Sequence, residues 1–205
     1  MYLKRLSAVN IGPINDVSIT FPFEESGNPK PVIIVGENGT GKTTLLSNVV
    51  DSLYELAEKA FKDVTESDGG SGHQYFKAIS PSEIQIGKEY LCSIIEYTCP
   101  RNPTYSIGYV MKCGSVSADL IKSGNSFCAN KKVSWKDTDG YKKAFIEKSE
   151  AETIFGRSVF CYFGPDRYEK PAWMGKDTIN KTMIYIRLLE NGGKDNYVSR
   201  SLFMT

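Results

Sequence analysis

One short glycine-rich stretch limits what this chain can fold into more than any other feature. Residues 31–46 read PVIIVGENGTGKTTLL, and within them Gly36, Gly41, Lys42 and Thr43 complete the pattern G-x-x-x-x-G-K-[ST]. Glycines at this spacing allow a tight backbone turn in which successive N–H groups converge on an anion. The lysine then reaches the outer phosphates and the hydroxyl binds Mg²⁺. The motif therefore predicts a loop that binds a nucleoside triphosphate.

The residues on both sides of the motif agree with that prediction. The apolar run Val32–Val35 precedes the loop and predicts a buried parallel strand. Apolar residues recur at helical spacing after the loop, from Leu45 to Phe61. Strand, loop and helix therefore stand in the order that phosphate-binding loops require. The candidate ligand-binding residues are Gly36, Asn38, Gly39, Thr40, Gly41, Lys42, Thr43 and Thr44, and the candidate Mg²⁺ ligand is Thr43.

Composition excludes several other classes of protein. The net charge is +1 in 205 residues, so any nucleic-acid surface must be a local patch. The amino-terminal residues lack the apolar region of a signal peptide, and no stretch is long enough to span a bilayer. We therefore expect a cytoplasmic protein without membrane contact. The five cysteines are scattered and form no C-x-x-C pair, which favours reduced thiols over a zinc site.

The first 50 residues resemble a known family. They combine the turn Asn10–Ile14 (NIGPI), an alternating strand with Val17, Ile19 and Phe21, and the loop Gly36–Leu46 (GENGTGKTTLL). This series resembles the amino-terminal lobe of RecF-like and SMC-like ATPases, the ABC-type ATPases of DNA repair, chromosome maintenance and anti-phage defence. In that family a G-E-N-G-[ST]-G-K-[ST]-[ST]-L-L loop follows an N-[FIY]-[GR] turn.

The resemblance carries expectations about fold, cofactors and partners. It implies an α/β P-loop NTPase fold, an ABC-ATPase-like head lobe with a mixed sheet and an antiparallel β sub-domain. It implies ATP and Mg²⁺ as cofactors and a head-to-head homodimer that sandwiches ATP. DNA and an effector such as a nuclease are the implied partners, in DNA repair or anti-phage defence. The expected organisation is a nucleotide-binding core at 1–66, the antiparallel sub-domain at 83–136, and a return to the core with the start of a helical region at 141–205.

Patterns outside the loop predict further elements. Alternating residues at 2–10 and 17–21 predict strands, and residues 66–73 (ESDGGSGH) predict a flexible linker. The other predicted elements are strands at 84–86, 90–97 and 105–111 with a hairpin turn at 99–103, short strands at 116–121 and 132–135, a helix at 141–155 and a buried strand at 158–163.

Two polar regions are further candidates for function. The loop after 158–163 contains Asp166 and Arg167, at the end of an apolar strand, where α/β sheets place ligand contacts. The resemblance identifies this loop with the Q-loop region. The usual glutamine is absent, so Asp166 or Arg167 either substitutes for it or forms a structural pair. Lysines also cluster around Trp135, but acidic residues follow closely, which favours a solvated mixed surface over a nucleic-acid site.

Hydrolysis needs groups that the sequence does not contain. No apolar strand ends in an Asp–Glu pair, and no signature loop is recognisable. Either the chain is the amino-terminal part of a longer ATPase, or it binds nucleotide as a scaffold without efficient turnover. A GTP-binding switch is an alternative because Asp137–Gly140 matches D-x-x-G, but Met183 replaces the guanine-reading aspartate after Asn180-Lys181. A small-molecule kinase is a further alternative, although arginines are too sparse for its lid.

Overall fold

A computed structural model describes residues 1–60, 64–66, 73–75, 79–100, 102–155, 185–189 and 195–199. The chain divides into two compact units, which we describe separately. The first comprises Met1–Leu56 and Ala78–Ile146, and the second Ala57–Lys77 and Glu147–Thr205. No helix among the described residues is long and apolar enough to cross a membrane.

The described elements are numbered in chain order. The strands are β1 (Tyr2–Ile11), β2 (Ile14–Thr20), β3 (Val64–Glu66), β4 (His73–Tyr75), β5 (Tyr90–Cys99), β6 (Asn102–Gly114), β7 (Tyr141–Phe145), β8 (Tyr185–Leu189) and β9 (Asp195–Ser199). The helices are α1 (Lys42–Ala57), α2 (Ala118–Gly124), α3 (Ser126–Asn130) and α4 (Lys148–Phe155), with a 3₁₀ turn at Pro81–Glu83.

The first unit is built on a five-stranded sheet in the order β2-β1-β5-β6-β7. All four pairings are antiparallel, and β5 and β6 form the predicted hairpin, with Cys99 opposite Asn102. The antiparallel sheet and the α/β composition are therefore confirmed. In the second unit, β3 pairs with β4 in parallel and β8 pairs with β9 in antiparallel orientation. The pair β3–β4 contains the two ends of the predicted linker, whose residues 67–72 lie outside the described ones.

Strand β5 is buried on both faces because different elements cover each side of the sheet. Residues 91–97 are all buried, and alternate side chains point to opposite faces. On one face, Ser93 and Tyr97 contact α1 through hydrogen bonds. On the other face, Cys92 and Ile94 of β5 and Val110 of β6 form an apolar cluster with Phe127 and Cys128 of α3 and Val133 of the following loop.

The short strands predicted at 116–121 and 132–135 are wrong. Residues 118–121 are helical, because the Ser117 hydroxyl accepts a hydrogen bond from the Leu120 amide and caps α2. Residues 132–135 form no strand; they lie across the apolar cluster, where the Trp135 indole N–H donates to the Val116 carbonyl at 2.8 Å. In the first segment a local helix cap outweighs the β propensity of the apolar residues, and in the second a hydrogen bond to a residue 19 positions away does so.

The predicted helix at 141–155 is wrong in its first half. Residues 141–145 form β7, which pairs with β6 and places Ala144 opposite Tyr109. Helix α4 begins only at Lys148. The free edge of β6 offers β7 a ladder of backbone hydrogen bonds, and such tertiary pairing overrides helical spacing in a segment of five residues.

The strand predicted at Val32–Val35 is also wrong. Residues 31–37 belong to no strand, and the side chains of Ile33 and Val35 are 85% and 86% exposed. A central strand requires ladder partners on both sides. Within the described part of the chain, β1 pairs with β2 and β5 instead, so this run receives no partner. The segment at 84–86 likewise forms one isolated bridge, Ile11 to Ile84, and no strand.

Candidate nucleotide-binding site

The glycine-rich loop forms a tight, exposed turn immediately before α1. Residues 36–40 are exposed, and Gly39 and Gly41 have φ values of +82° and +94°. L-residues with side chains rarely adopt such values, so both positions favour glycine. The Thr40 hydroxyl donates to the Glu37 carbonyl at 2.9 Å and closes the turn. Helix α1 begins at Lys42, and its first intrahelical hydrogen bond joins the Leu45 amide to the Gly41 carbonyl at 2.9 Å.

The Lys42 ammonium lies within this turn. Its Nζ donates to the carbonyls of Gly36 and Glu37, at 2.7 Å each. A lysine at the first position of a helix adds positive charge to the positive end of the helix dipole, and the first turn of α1 contains no acidic residue. This arrangement does not favour helix stability, but it suits an anion placed against the unpaired N–H groups of the first turn.

The turn Asn10–Ile14 packs directly against the loop. A side-chain carbon added at Gly41 would lie 2.7 Å from Ile14 Cγ1 and 3.1 Å from Pro13 Cγ. A hydrogen bond also anchors this turn to the 3₁₀ turn at Pro81–Glu83, because the Gly12 amide donates to the Glu83 carbonyl at 2.7 Å. The two sequence segments that carry the family resemblance are therefore in contact in the folded chain.

Helix α1 contacts the sheet through a polar stripe, which we define as Asn48, Asp51, Ser52 and Glu55. All four residues are buried, although their spacing of three, four and seven residues marks one polar face of the helix. The apolar residue Leu46 is 49% exposed. The burial of α1 therefore differs from the simple apolar pattern by which the helix was predicted.

Each member of the polar stripe has a hydrogen-bonding partner in the first unit. The Ser93 hydroxyl donates to Asn48 Oδ1 at 2.8 Å, and the hydroxyls of Ser52 and Tyr97 are 2.6 Å apart. The Ile79 amide donates to Asp51 Oδ2 at 2.8 Å, and Lys142 Nζ lies 3.3 Å from Glu55 Oε1. Burial raises the pKa of the Tyr97 hydroxyl well above its ordinary value, so Tyr97 stays neutral.

The predicted site residues differ in how far the structure describes them. The structure brings residues 36–44 together, with Thr43 exposed on the first turn of α1. Asp166 and Arg167 lie outside the described residues. Among the residues that are described, no group of three or more His, Cys, Asp or Glu side chains could hold a metal ion.

Several lysines around Trp135 have structural partners. Lys142 pairs with Glu55, and the Lys131 ammonium lies 5.4 Å from the centre of the Tyr105 ring. The fully buried Lys112 donates to three carbonyl oxygens of residues 136–139. This stretch therefore contributes to the fold of the first unit.

Two features of the site were not predicted from the sequence: the contact of Ile14 with Gly41 and the burial of the polar stripe. The first has no signal in a single sequence, because it joins segments 27 positions apart. The burial of the polar stripe has a signal, because polar residues recur at helical spacing in α1. An exposed face of a helix produces the same pattern, however.

The chain is similar to a known protein family and to solved structures. The model of a family described as AAA domain matches residues 5–154. A solved structure from work on ATP-driven dimerization and DNA-stimulated activation of SMC ATPases is similar over 76% of this chain and 78% of its own, with 14% identity and a TM-score of 0.37. No curated protein sequence matches the chain significantly.

Proposed function

This chain belongs to the AAA domain family, and from that premise we propose that it binds and hydrolyses ATP as the head of a RecF/SMC-like ATPase. The family match agrees with the predicted P-loop NTPase fold and covers the described first unit from Arg5 onward. Binding of ATP is the first step of this proposal, and the geometry of residues 36–43 supports it.

The position of Lys42 is the observation that carries the proposal. Its ammonium is 2.7 Å from two carbonyl oxygens of its own loop, and two residues of that loop have left-handed backbones. These features place a positive charge and the unpaired N–H groups of the first turn of α1 beside one exposed loop. A triphosphate supplies the compensating negative charge, so we expect it to draw Nζ from the carbonyls toward its β- and γ-phosphates.

The donor groups of the loop fit Mg-ATP. Amides of Gly39, Gly41 and Lys42 would hold the phosphates, and the exposed Thr43 hydroxyl is an oxygen donor of the type that Mg²⁺ prefers. When bound, Mg²⁺ neutralises charge on the β- and γ-phosphates. The residues of this chain bind the phosphates, orient them through the N-terminus of α1, and hold the loop against the Asn10–Ile14 turn.

The wider role is proposed on the family resemblance alone. Two heads would sandwich ATP, and turnover would act on DNA or on an effector such as a nuclease, in DNA repair or anti-phage defence. The division into a core at 1–66, a sub-domain at 83–136 and a return to the core at 141–205 belongs to the same proposal, as does a cytoplasmic location.

Nucleotide binding by substituted chains tests the proposal. We expect Lys42→Ala to weaken the binding of ATP in the presence of Mg²⁺ by about tenfold or more, because it removes a charge-assisted phosphate contact. The exposed Lys30 provides a matched control, since Lys30→Ala removes the same charge twelve positions earlier. Isothermal titration calorimetry would measure both affinities, and equal affinity of wild type and Lys42→Ala for ATP would refute the proposed site.

Two further measurements separate the alternatives. Competition between ATP and GTP distinguishes an ATPase head from a GTP-binding switch, which would prefer GTP. Release of inorganic phosphate distinguishes an ATPase from a nucleotide-gated scaffold. Residues 1–205 lack the Asp–Glu pair and the signature loop that hydrolysis requires, so the measurement is made on the natural full-length protein. We expect ATP-dependent phosphate release that is lost in Lys42→Ala; binding without release by that protein would favour the scaffold.

A further inference from the structure

The polar stripe lies on α1, the helix that begins at the end of the proposed phosphate-binding loop. Asn48 is six residues beyond Lys42, which corresponds to about 9 Å along the helix axis. We infer that the polar stripe is a positioning device for the loop: its hydrogen bonds fix the translation and rotation of α1 on the sheet, and thereby the direction of the loop amides. This inference rests on the proposed nucleotide-binding function.

The energetics of Asn48 favour positioning over stability. The residue is 1% exposed, and its Nδ2 has no hydrogen-bond partner among the described residues. A buried, unpaired amide opposes folding, so stability alone would favour an apolar side chain here. Apolar contacts are non-directional, whereas the bond from Ser93 to Asn48 Oδ1 at 2.8 Å tolerates only small displacements.

A second connection holds the loop from its other side. Asp51 accepts from the Ile79 amide at 2.8 Å, which anchors the segment 79–85 to α1. That segment also accepts the Gly12 amide and donates from Gln85 to Asn10 at 3.0 Å. The turn that contains Gly12 contacts Gly41 through Ile14. The loop is thus fixed between a turn and a helix that share one anchoring segment.

The size of the effect follows from helix geometry. Without the stripe, α1 can shift by one residue along the sheet, which moves its N-terminus by about 1.5 Å. Hydrogen bonds to phosphate oxygens span only about 2.7–3.2 Å, so this shift breaks them. Loss of one charge-assisted bond weakens binding about tenfold.

Two double variants test the inference by removing both partners of a hydrogen bond. Ser52→Ala with Tyr97→Phe removes only the two hydroxyls that lie 2.6 Å apart. Asn48→Leu with Ser93→Ala replaces the second pair with apolar groups. Removal of both partners leaves no new unpaired group, so we expect the urea midpoint of unfolding to stay equal to or above that of wild type.

The same variants should lose nucleotide affinity. We expect ATP to bind each double variant about tenfold more weakly, with shifted amide resonances of Gly39 and Gly41 in ¹⁵N–¹H spectra of the full chain. Leu53→Ala is the matched control, because Leu53 is a buried apolar residue of the same helix. It should lower the urea midpoint and leave ATP affinity within about twofold of wild type.

The outcomes are distinguishable from failure of the proposed function. If the wild-type chain does not bind ATP, the proposed function is wrong. If it binds ATP and Lys42→Ala does not, but both double variants bind as wild type does, only the positioning role is refuted. The positioning role is also refuted if ATP affinity falls only as stability falls, and falls as much in Leu53→Ala as in the double variants. If Asn48→Leu with Ser93→Ala does not fold, the Ser52–Tyr97 pair decides the question.

Discussion

The contact between the Asn10–Ile14 turn and the loop predicts an unusually large effect of Gly41→Ala. The new methyl group would lie 2.7 Å from Ile14 Cγ1 and 3.1 Å from its Cδ1. Its overlap with a packed side chain costs about 1–3 kcal/mol. The φ of +94° adds about 1–2 kcal/mol for a residue with a Cβ. We therefore expect a loss of about 2–5 kcal/mol in the free energy of unfolding.

A second glycine in the same loop separates these two contributions. Gly39 has a similar φ of +82°, but a side-chain carbon added there meets nothing within 4 Å. Gly39→Ala should therefore lose only the backbone contribution of about 1–2 kcal/mol. Urea unfolding followed by circular dichroism would measure the free energies of unfolding of both variants.

A double-mutant cycle identifies the side chain responsible. Ile14→Ala removes the two atoms nearest to the added methyl group, so it should recover part of the loss in Gly41→Ala, with a coupling energy of about 1–3 kcal/mol. Equal losses in Gly41→Ala and Gly39→Ala, or additive effects of Gly41→Ala and Ile14→Ala, would refute the packing of the turn against the loop.

Two further predictions concern buried groups. Lys142→Met should lower the free energy of unfolding by about 1–2 kcal/mol, because it removes a partner of the buried Glu55, and urea unfolding would measure the loss. Burial raises the pKa of the Cys128 thiol to about 11, so the unfolded chain loses this proton at lower pH than the folded chain. Stability should therefore fall as pH rises from the ordinary thiol pKa toward 11, and urea midpoints across that range would record it.

Matched variants control for general effects. Lys143→Met removes the same charge from the neighbouring, exposed position of β7 and should change stability by less than about 0.5 kcal/mol. A loss as large as that of Lys142→Met would contradict the role of the Glu55 pair. For each protein, the alkaline loss of stability is measured from that protein's own stability at neutral pH. This loss should be smaller in Cys128→Ala than in wild type. An unchanged slope would show that other groups, such as Tyr54 with its pKa raised to about 12, cause it.

The backbone of the candidate site could be predicted because a tight turn and a helix start depend on neighbouring residues. The spacing of Gly36, Gly41 and Lys42 specifies a turn and a helix start within a few residues, and the structure places these residues accordingly. The strands β5 and β6 were likewise predictable, because their β-branched and aromatic residues are separated by a short turn. The match to residues 5–154 agrees with the resemblance that the first 50 residues carry.

Elements whose state depends on a distant partner could not be predicted. Val32–Val35 has the apolar pattern of a buried strand, but a strand exists only where other segments supply its ladder. Tyr141–Phe145 has helical spacing, yet the open edge of β6 makes it a strand. In both segments the local pattern was compatible with two states, and the pairing available in the folded chain selected one.

Sequence by itself determined that a tight glycine-rich loop precedes a helix, since glycine conformations and the position of Lys42 are properties of neighbouring residues. Only the tertiary structure decided which face of that helix is buried. Periodicity identifies a polar face and an apolar face but not the surface that each will meet. The sheet presents Ser93 and Tyr97, whose hydroxyls require partners, and α1 therefore buries its polar stripe against them.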